Sequence, residues 1–255
     1  MTQERKKNRN SKLDKRVDKR QFRVLEGQKR NGEERERKYT FKPVQAKNEF
    51  QKRVFVALAN KQVVVISSPA GTGKSFLTMS KALEEYTKGH IHKICLSRPA
   101  VGMANSLGLL KGGIKEKYEP YLMPLISVIK ESLGNGFYEC GISNETIELL
   151  PMEYLRGRNL DGYTILDESQ NASASELYSI LTRITETGKL VLLGDKTQHD
   201  LHGEDGLTWL RKFVNNNNLH DKVEFIEGTS DDIVRSEFVK SIVKAKENET
   251  GIYTN

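Results

Sequence analysis

Pro69-Ala70-Gly71-Thr72-Gly73-Lys74-Ser75 combines small, basic and hydroxyl residues at a spacing suited to holding phosphate. A nucleoside triphosphate presents several anionic oxygens, and a ring of backbone N–H groups at a helix N-terminus is a low-cost way to bind them. Gly71 and Gly73 would let the backbone close round a phosphate with no Cβ in the way. Lys74 would neutralise the β- and γ-phosphates during reaction, and the Ser75 hydroxyl would ligate Mg²⁺. Ser68, Pro69, Ala70, Thr72 and Phe76 complete the expected ATP-binding segment. Ser68 stands where G-x-x-x-x-G-K-[ST] has its first glycine, so the segment alone is an incomplete match. Taken by itself it leaves open a glycine-rich turn, or a site that binds without turning over.

Hydrolysis also needs a carboxylate near the metal and a group that orients water. Tyr163-Thr164-Ile165-Leu166 reads as an apolar strand running into Asp167-Glu168. Both carboxylates would then emerge at the carboxyl edge of the sheet, where open α/β folds bind ligands. Asp167 would hold Mg²⁺ through water, and Glu168 would orient the attacking water. An acidic strand end is common, and it is the phosphate loop that gives this one a chemical reading. A second polar strand end follows at Leu192-Leu193-Gly194-Asp195-Lys196-Thr197-Gln198. Where a sheet inserts a strand between the phosphate-loop strand and the Asp-Glu strand, a polar group here can sense the γ-phosphate. Asp195 and Gln198 are the candidates, with an ordinary turn as the alternative.

These groups need strands that end together and helices that begin beside them. From Tyr39 onward, short β-branched runs alternate with helix-length amphipathic stretches, the pattern of an α/β domain with a mostly parallel sheet. The predicted strands are Val63–Ser67, Lys93–Ser97, Thr146–Leu149, Tyr163–Asp167, Lys189–Leu193 and Val223–Ile226. Helices are expected over 44–59, 74–88, 114–132, 173–186, 205–214 and 231–246. Gly188 and Gly228 fall at the exits of helices or strands. Asn215–Asn218 reads as an exposed loop, and Trp209, at helical spacing with Leu210 and Phe213, reads as core.

The chain has 255 residues and a formal net charge of +7. Residues 1–38 carry 15 Lys/Arg against 7 Asp/Glu, so the whole basic excess lies in an N-terminal arm. That arm has few large apolar residues and is expected to be disordered or marginally helical, ahead of a single domain over 39–250. It would either add salt-dependent affinity for RNA or DNA or serve as a solvated tail. No run approaches the roughly 18 apolar residues of a membrane helix, and no apolar stretch follows the charged N-terminus. With only Cys95 and Cys140, no disulfide framework is implied, and a cytoplasmic protein with no membrane partner is expected. Cys95 reads as a small core residue. His199-x-x-His202 lacks the further ligands of a structural zinc site.

A wider series of motifs resembles the PhoH-like protein family. Ser97-Arg98-Pro99-Ala100-Val101, Leu107-Gly108, Glu116-Lys117, Pro120-Tyr121 and Pro124-Leu125 follow the phosphate loop in that family's order. Tyr154-Leu155-Arg156-Gly157-Arg158, Ile165–Asn171, Leu181-Thr182-Arg183, Gly194–Gln198 and Asp232-Ile233-Val234-Arg235 continue it. The resemblance covers about residues 43 to 246. It implies a RecA-like P-loop NTPase core related to the first motor domain of superfamily 1 helicases, whose D-E-x-Q and G-D-x-x-Q motifs look like Asp167–Gln170 and Gly194–Gln198. It also makes Gln51 the candidate adenine-reading amide. Ser169 stands where the family has alanine, and Ser75 where it more often has threonine. The segment carries no match to the nuclease domain fused to some members, so nuclease activity is not implied.

Phosphoryl transfer usually needs an arginine to meet the developing charge. A helicase takes it from a second motor domain, for which this length leaves no room. The core is therefore expected to form a homo-oligomeric ring, a hexamer among the forms that fit, in which Arg183 or Arg235 reaches a neighbour's site. Arg98, Arg156 and Arg158 would sit near the active edge and line a strand-binding surface or sense nucleotide. Two readings remain: an Mg²⁺-dependent ATPase that remodels single-stranded RNA or DNA, with helicase-like activity undecided, or a nucleotide-dependent binding switch with little turnover.

Overall fold

A strand buried on both faces needs a run of apolar residues without polar alternation. Val63–Ser67 is such a run, and all of it is buried; it forms β1. The computed structural model describes residues 39–99, 117–195, 198 and 205–250. The arm over 1–38, Ala100-Val101, Leu107-Gly108, Glu116, the start of the 114–132 helix, Lys196-Thr197 and His199-x-x-His202 lie outside the described residues.

With β1, the strands β2 (Ile94–Ser97), β3 (Ile147–Leu149), β4 (Tyr163–Leu166), β5 (Lys189–Gly194) and β6 (Val223–Glu227) build one six-stranded sheet. Its order is β3-β2-β4-β5-β1-β6, and every neighbouring pair is parallel. β5 therefore lies between the strand that carries the phosphate loop and the strand that carries Asp167-Glu168, the inserted-strand order of RecA-like P-loop NTPases. The described helices are α1 (Glu49–Asn60), α2 (Lys74–Thr87), α3 (Met123–Leu133), α4 (Asn135–Ser143), α5 (Met152–Leu155), α6 (Ala174–Leu181), α7 (Gly206–Asn216) and α8 (Glu237–Thr250). Short 3₁₀ turns occupy Glu119–Leu122, Ser169–Asn171 and Ser230–Asp232.

Successive strand residues point to opposite faces. Val63, Val65, Leu190 and Leu192 face a core shared with Leu177 and Ile180 of α6 and Leu207, Leu210 and Val214 of α7. The opposite face is covered by α1 and α2, which contact β1, β5 and β6 and bury Phe50, Val54, Leu77 and Leu83. Val64 and Ile66 are fully buried, and each such burial stabilises by about 1.5–3 kcal/mol. Cys95 is in the core as expected, its thiol pushed up to about 12 by burial.

Three helices differ from their predicted extents for identifiable reasons. The first helix begins at Glu49, because Asn48 caps it by accepting from the Gln51 N–H. The helix predicted over 173–186 stops at Leu181, after which the chain turns back so that the Arg183 carbonyl can accept from Leu160. The predicted 231–246 helix is interrupted: residues 233–236 run past the phosphate loop, and α8 starts only at Glu237. α4 and α5 have no counterpart in the sequence reading. Asn215–Asn218 is exposed as expected, although α7 takes in its first two residues. Trp209 is only partly buried, stacked on Phe213 at 5.2 Å and edge-on to Tyr178 at 6.3 Å.

Candidate nucleotide site at the carboxyl edge of the sheet

The register brings five strand ends to one edge, β2 and β4 stopping two residues short of β1, β5 and β6. Ser67 pairs with Gly194 and Glu227, Leu166 pairs with Leu192, and Ser97 pairs with Leu166. Beyond those ends the Ser68 N–H donates to Gly194 O at 3.1 Å and the Asp167 N–H to Ser97 O at 2.8 Å. Ser68, Arg98, Asp167, Asp195 and Gly228 thus line one edge.

The loop from Ser68 leads into α2, whose N-cap Gly73 adopts φ 94° and supplies no side-chain cap. Gly71 is at φ 89°. Side chains rarely tolerate that region, which explains glycine at both positions. The uncapped first turn of α2 leaves backbone N–H groups for an anion. Lys74 Nζ donates to Ser68 O at 3.1 Å, so the lysine lies over the loop. Ser75 is partly buried in the first turn and Phe76 is exposed.

The structure accommodates Ser68 in place of glycine. Ser68 and Thr72 are fully buried, with their hydroxyl oxygens 2.7 Å apart. Because the Thr72 hydroxyl donates its one proton to Pro69 O, Ser68 is the donor of the pair. Space comes from Gly228, where a Cβ would lie 2.9 Å from Ser68 Cβ and 2.8 Å from Phe50 Cε2.

On the metal side, Asp167 is 4% exposed. Burial, then the neighbouring Glu168 charge, raises its pKa to about 6, while Arg98 and Lys74 act in the opposite direction. The loop lysine and the Asp167 carboxylate are therefore within electrostatic reach of each other. Glu168 adopts the left-handed conformation, φ 52° and ψ 37°. Its Oε2 accepts from Gln170 Nε2 at 2.7 Å, and its Oε1 lies 3.8 Å from Arg98 Nη2. Gln170 also donates to Gln198 O at 3.1 Å and accepts from the Asp195 N–H at 3.1 Å. Gln198 is exposed, and its amide donates to Asp195 Oδ2 at 2.8 Å. The two polar strand ends therefore form one network.

Other candidates are placed less simply. Gln51 is 3% exposed; its Nε2 donates to Thr72 O at 3.0 Å and its Oε1 accepts from the Lys47 N–H at 2.8 Å. Its amide is thus committed to the loop backbone. Arg235 is exposed, with its Cβ beside Gly71 of its own chain, and the next-door Val234 N–H donates to Gly71 O at 3.1 Å. Arg183 is exposed at the opposite, amino edge, where its carbonyl accepts from Leu160 ahead of β4. Arg156 pairs with Glu176 at 2.8 Å and Arg158 with Glu148 at 3.1 Å.

Sequence reasoning gave no role to Gln170 or Tyr118 and took Gly228 only as a strand exit. The D-E-x-Q pattern was the available signal for Gln170. Tyr118, fully buried, clamps the Arg98 peptide: its hydroxyl accepts from Arg98 N–H at 2.5 Å and donates to Arg98 O at 2.9 Å. No local pattern marks that contact.

The residues fit the groups they were expected to hold. A glycine cradle, an uncapped helix start and a lysine suit a triphosphate. The Ser75 hydroxyl and the Asp167 carboxylate are hard oxygen ligands of the kind Mg²⁺ takes, and a cation there would offset the cost of ionising a buried Asp167. Among the described residues, no cluster of three or more His, Cys, Asp or Glu forms an all-protein metal site, and no helix is long and apolar enough to cross a membrane.

The profile of the family described as "PhoH-like protein" matches residues 43–247. A PhoH-like protein of Bacillus subtilis (strain 168) is 37% identical over 207 residues, covering 80% of this chain and 64% of that protein. The PhoH-like protein of Mycobacterium tuberculosis (strain ATCC 25618 / H37Rv) is 37% identical over 205 residues, covering 80% and 58%. Protein PhoH of Escherichia coli (strain K12) is 35% identical over 162 residues, covering 62% and 46%. The chain thus spans between 46% and 64% of the length of these relatives. Among solved structures, the large terminase of a thermophilic bacteriophage superposes with a TM-score of 0.49 at 13% identity, over 83% of this chain and 51% of that one. The ADP complex of the same terminase gives 0.48 at 12%, over 81% and 50%. At that distance the likeness adds nothing to the topology already described. The family match begins ahead of α1, takes in every strand of the sheet and runs into α8, and on that ground this chain belongs to the PhoH-like protein family.

Proposed function

We propose that this chain is an Mg²⁺-dependent ATPase whose cycle is coupled to binding or remodelling single-stranded RNA or DNA. The observation that carries the reading is the meeting of three strand ends: the phosphate loop after β1, Asp195 after β5 and Asp167-Glu168 after β4. A fortuitous glycine turn would have no reason to face a buried aspartate across an inserted strand. Gly71, Gly73 and the first turn of α2 hold the phosphates, and Lys74 neutralises them. Mg²⁺, held by Ser75 and Asp167, supplies charge stabilisation on the phosphate oxygens. Glu168 orients the attacking water, and Asp195 with Gln198 reports on the γ-phosphate.

The arginine that completes the site comes from a neighbouring copy in a ring, a hexamer among the forms that fit. Arg183 is the better candidate, because it is exposed on the edge remote from its own loop. Arg235, beside its own Gly71, suits a role within the same subunit. The arm over 1–38 adds salt-dependent affinity for nucleic acid. Cys95 and Cys140 are both free thiols, which suits the reducing cytoplasm.

The test is Glu168→Gln. ATP binding should persist while turnover falls at least about a hundredfold, the scale of losing a positioned proton acceptor. One observation favours the alternative, a nucleotide switch with little turnover: Glu168 is engaged by Gln170 and Arg98. Negligible wild-type turnover, with and without RNA or DNA and in every oligomeric fraction, would establish that alternative instead.

A further inference from the structure

Glu168 has an uncommon backbone, shared among the described non-glycine residues with Glu145 and Asn218. A non-glycine residue stays at φ 52° and ψ 37° only when its surroundings hold it there. Its Oε2 is hydrogen-bonded by Gln170 Nε2 at 2.7 Å, and its Oε1 forms a looser ion pair with Arg98 Nη2 at 3.8 Å. These two partners differ in freedom. Gln170 is 2% exposed, and its amide also serves Gln198 O and the Asp195 N–H, so it cannot leave without orphaning buried polar groups. Arg98 is pinned through its backbone by Tyr118, while its side chain is 29% exposed and otherwise donates to Tyr121 O at 3.2 Å.

We propose that Arg98 is a positioning residue that restrains Glu168 at rest, and that a nucleic-acid phosphate taking the Arg98 guanidinium releases Glu168 for hydrolysis. A guanidinium binds phosphate oxygens in the same forked geometry as a carboxylate, so the two compete for it. The exchange conserves charge pairing on Arg98 and removes the cation that draws Glu168 Oε1 towards itself, leaving that carboxylate free to turn to water. Gln170 remains as the fixed pivot. Strand binding is thereby coupled to the nucleotide site through one side chain, with no movement of the sheet. The inference rests on the ATPase reading above and supplies its regulation.

The test measures steady-state ATP turnover of the full chain with Mg²⁺, alone and with poly-uridine RNA or oligo-thymidine DNA. Wild type is compared with Arg98→Gln and Arg98→Lys. Removing a partly exposed ion pair shifts populations modestly, so Arg98→Gln should raise turnover without nucleic acid by about two- to fivefold. It should also lose most of the stimulation by RNA or DNA, and Arg98→Lys should regain part of it. A merely structural role would lower both rates together. If Arg98→Gln lowers basal turnover, the arginine aids catalysis, for instance at the γ-phosphate, and the restraint is wrong. If it keeps the wild-type stimulation ratio, Arg98 is not the release point, yet the nucleic-acid-coupled ATPase reading survives. If wild type hydrolyses ATP but responds to neither RNA nor DNA, that coupling and this proposal fall together. Melting curves exclude misfolding, and Arg98→Lys still decides the question if Arg98→Gln proves insoluble.

Discussion

In the proposed mechanism Asp167 works as a carboxylate, although the fold disfavours its charge. Its pKa is raised from 3.8 to about 6, first by burial and then by Glu168. At about 1.36 kcal/mol per tenfold change in proton affinity, the ionised carboxylate costs the folded chain about 3 kcal/mol at neutral pH. The sign follows from proton counting. Between about pH 4 and pH 6 the folded state binds the extra proton, so stability falls as pH rises through that window and is level above it. Asp167→Asn removes the ionisable group at nearly constant volume. Without nucleotide or Mg²⁺, at pH 7.5, the variant should be more stable than wild type by about 3 kcal/mol, or about 6–12 °C in Tm for a domain of this size. At pH 5 the advantage should shrink to about half. Urea denaturation with a chelator present at both pH values is the assay. Added Mg²⁺ should narrow the gap, because only the wild type gains by binding it. A variant no more stable than wild type at pH 7.5, or an advantage that does not shrink at pH 5, would refute the placement of a desolvated carboxylate at this edge.

Gly228→Ala should destabilise by about 1–3 kcal/mol, because its Cβ would meet Phe50 and Ser68 below 3 Å. Adding Ser68→Gly to that variant should recover part of the loss, read as a coupling energy from melting curves of the two singles and the double. Gln51→Ala should destabilise the fold by about 1–3 kcal/mol in urea denaturation, since it strands Thr72 O and the Lys47 N–H. Any weakening of nucleotide binding through the loosened loop should be equal for ATP and GTP in a fluorescent-analogue titration; a loss confined to ATP would return Gln51 to base reading.

Much of the sheet was legible because most strands are short apolar runs bounded by turn or polar residues. Val63–Ser67 was read to the residue, and the other strands to within one residue at either end. Helix ends were read less well. The stop of α6 at Leu181 goes with a distant partner, Leu160, and the stretch ahead of α8 is drawn to Gly71, after which Ser236 caps α8 by accepting from the Val239 N–H at 3.3 Å. α4 was missed because Gly134, Gly136 and Gly141 make its sequence look like a loop. Gly141 is in fact a packing glycine, where a Cβ would fall 2.5 Å from Ile147 Cδ1.

By itself the sequence determined the chemistry of the edge: a phosphate cradle, a lysine, and two carboxylates at the end of an apolar strand. Those follow from residue types at fixed short spacings, which local backbone geometry converts directly into position. It also determined that a strand could lie between loop and carboxylates, without saying that β5 does. Only the tertiary structure decided which groups meet. Gln51 is turned into the loop, Ser68 is given room by Gly228, and Glu168 is held between Gln170 and Arg98. Of these contacts, only that of Glu168 with Gln170 joins near neighbours in the chain. The others are set by strand order and register, which no local pattern encodes.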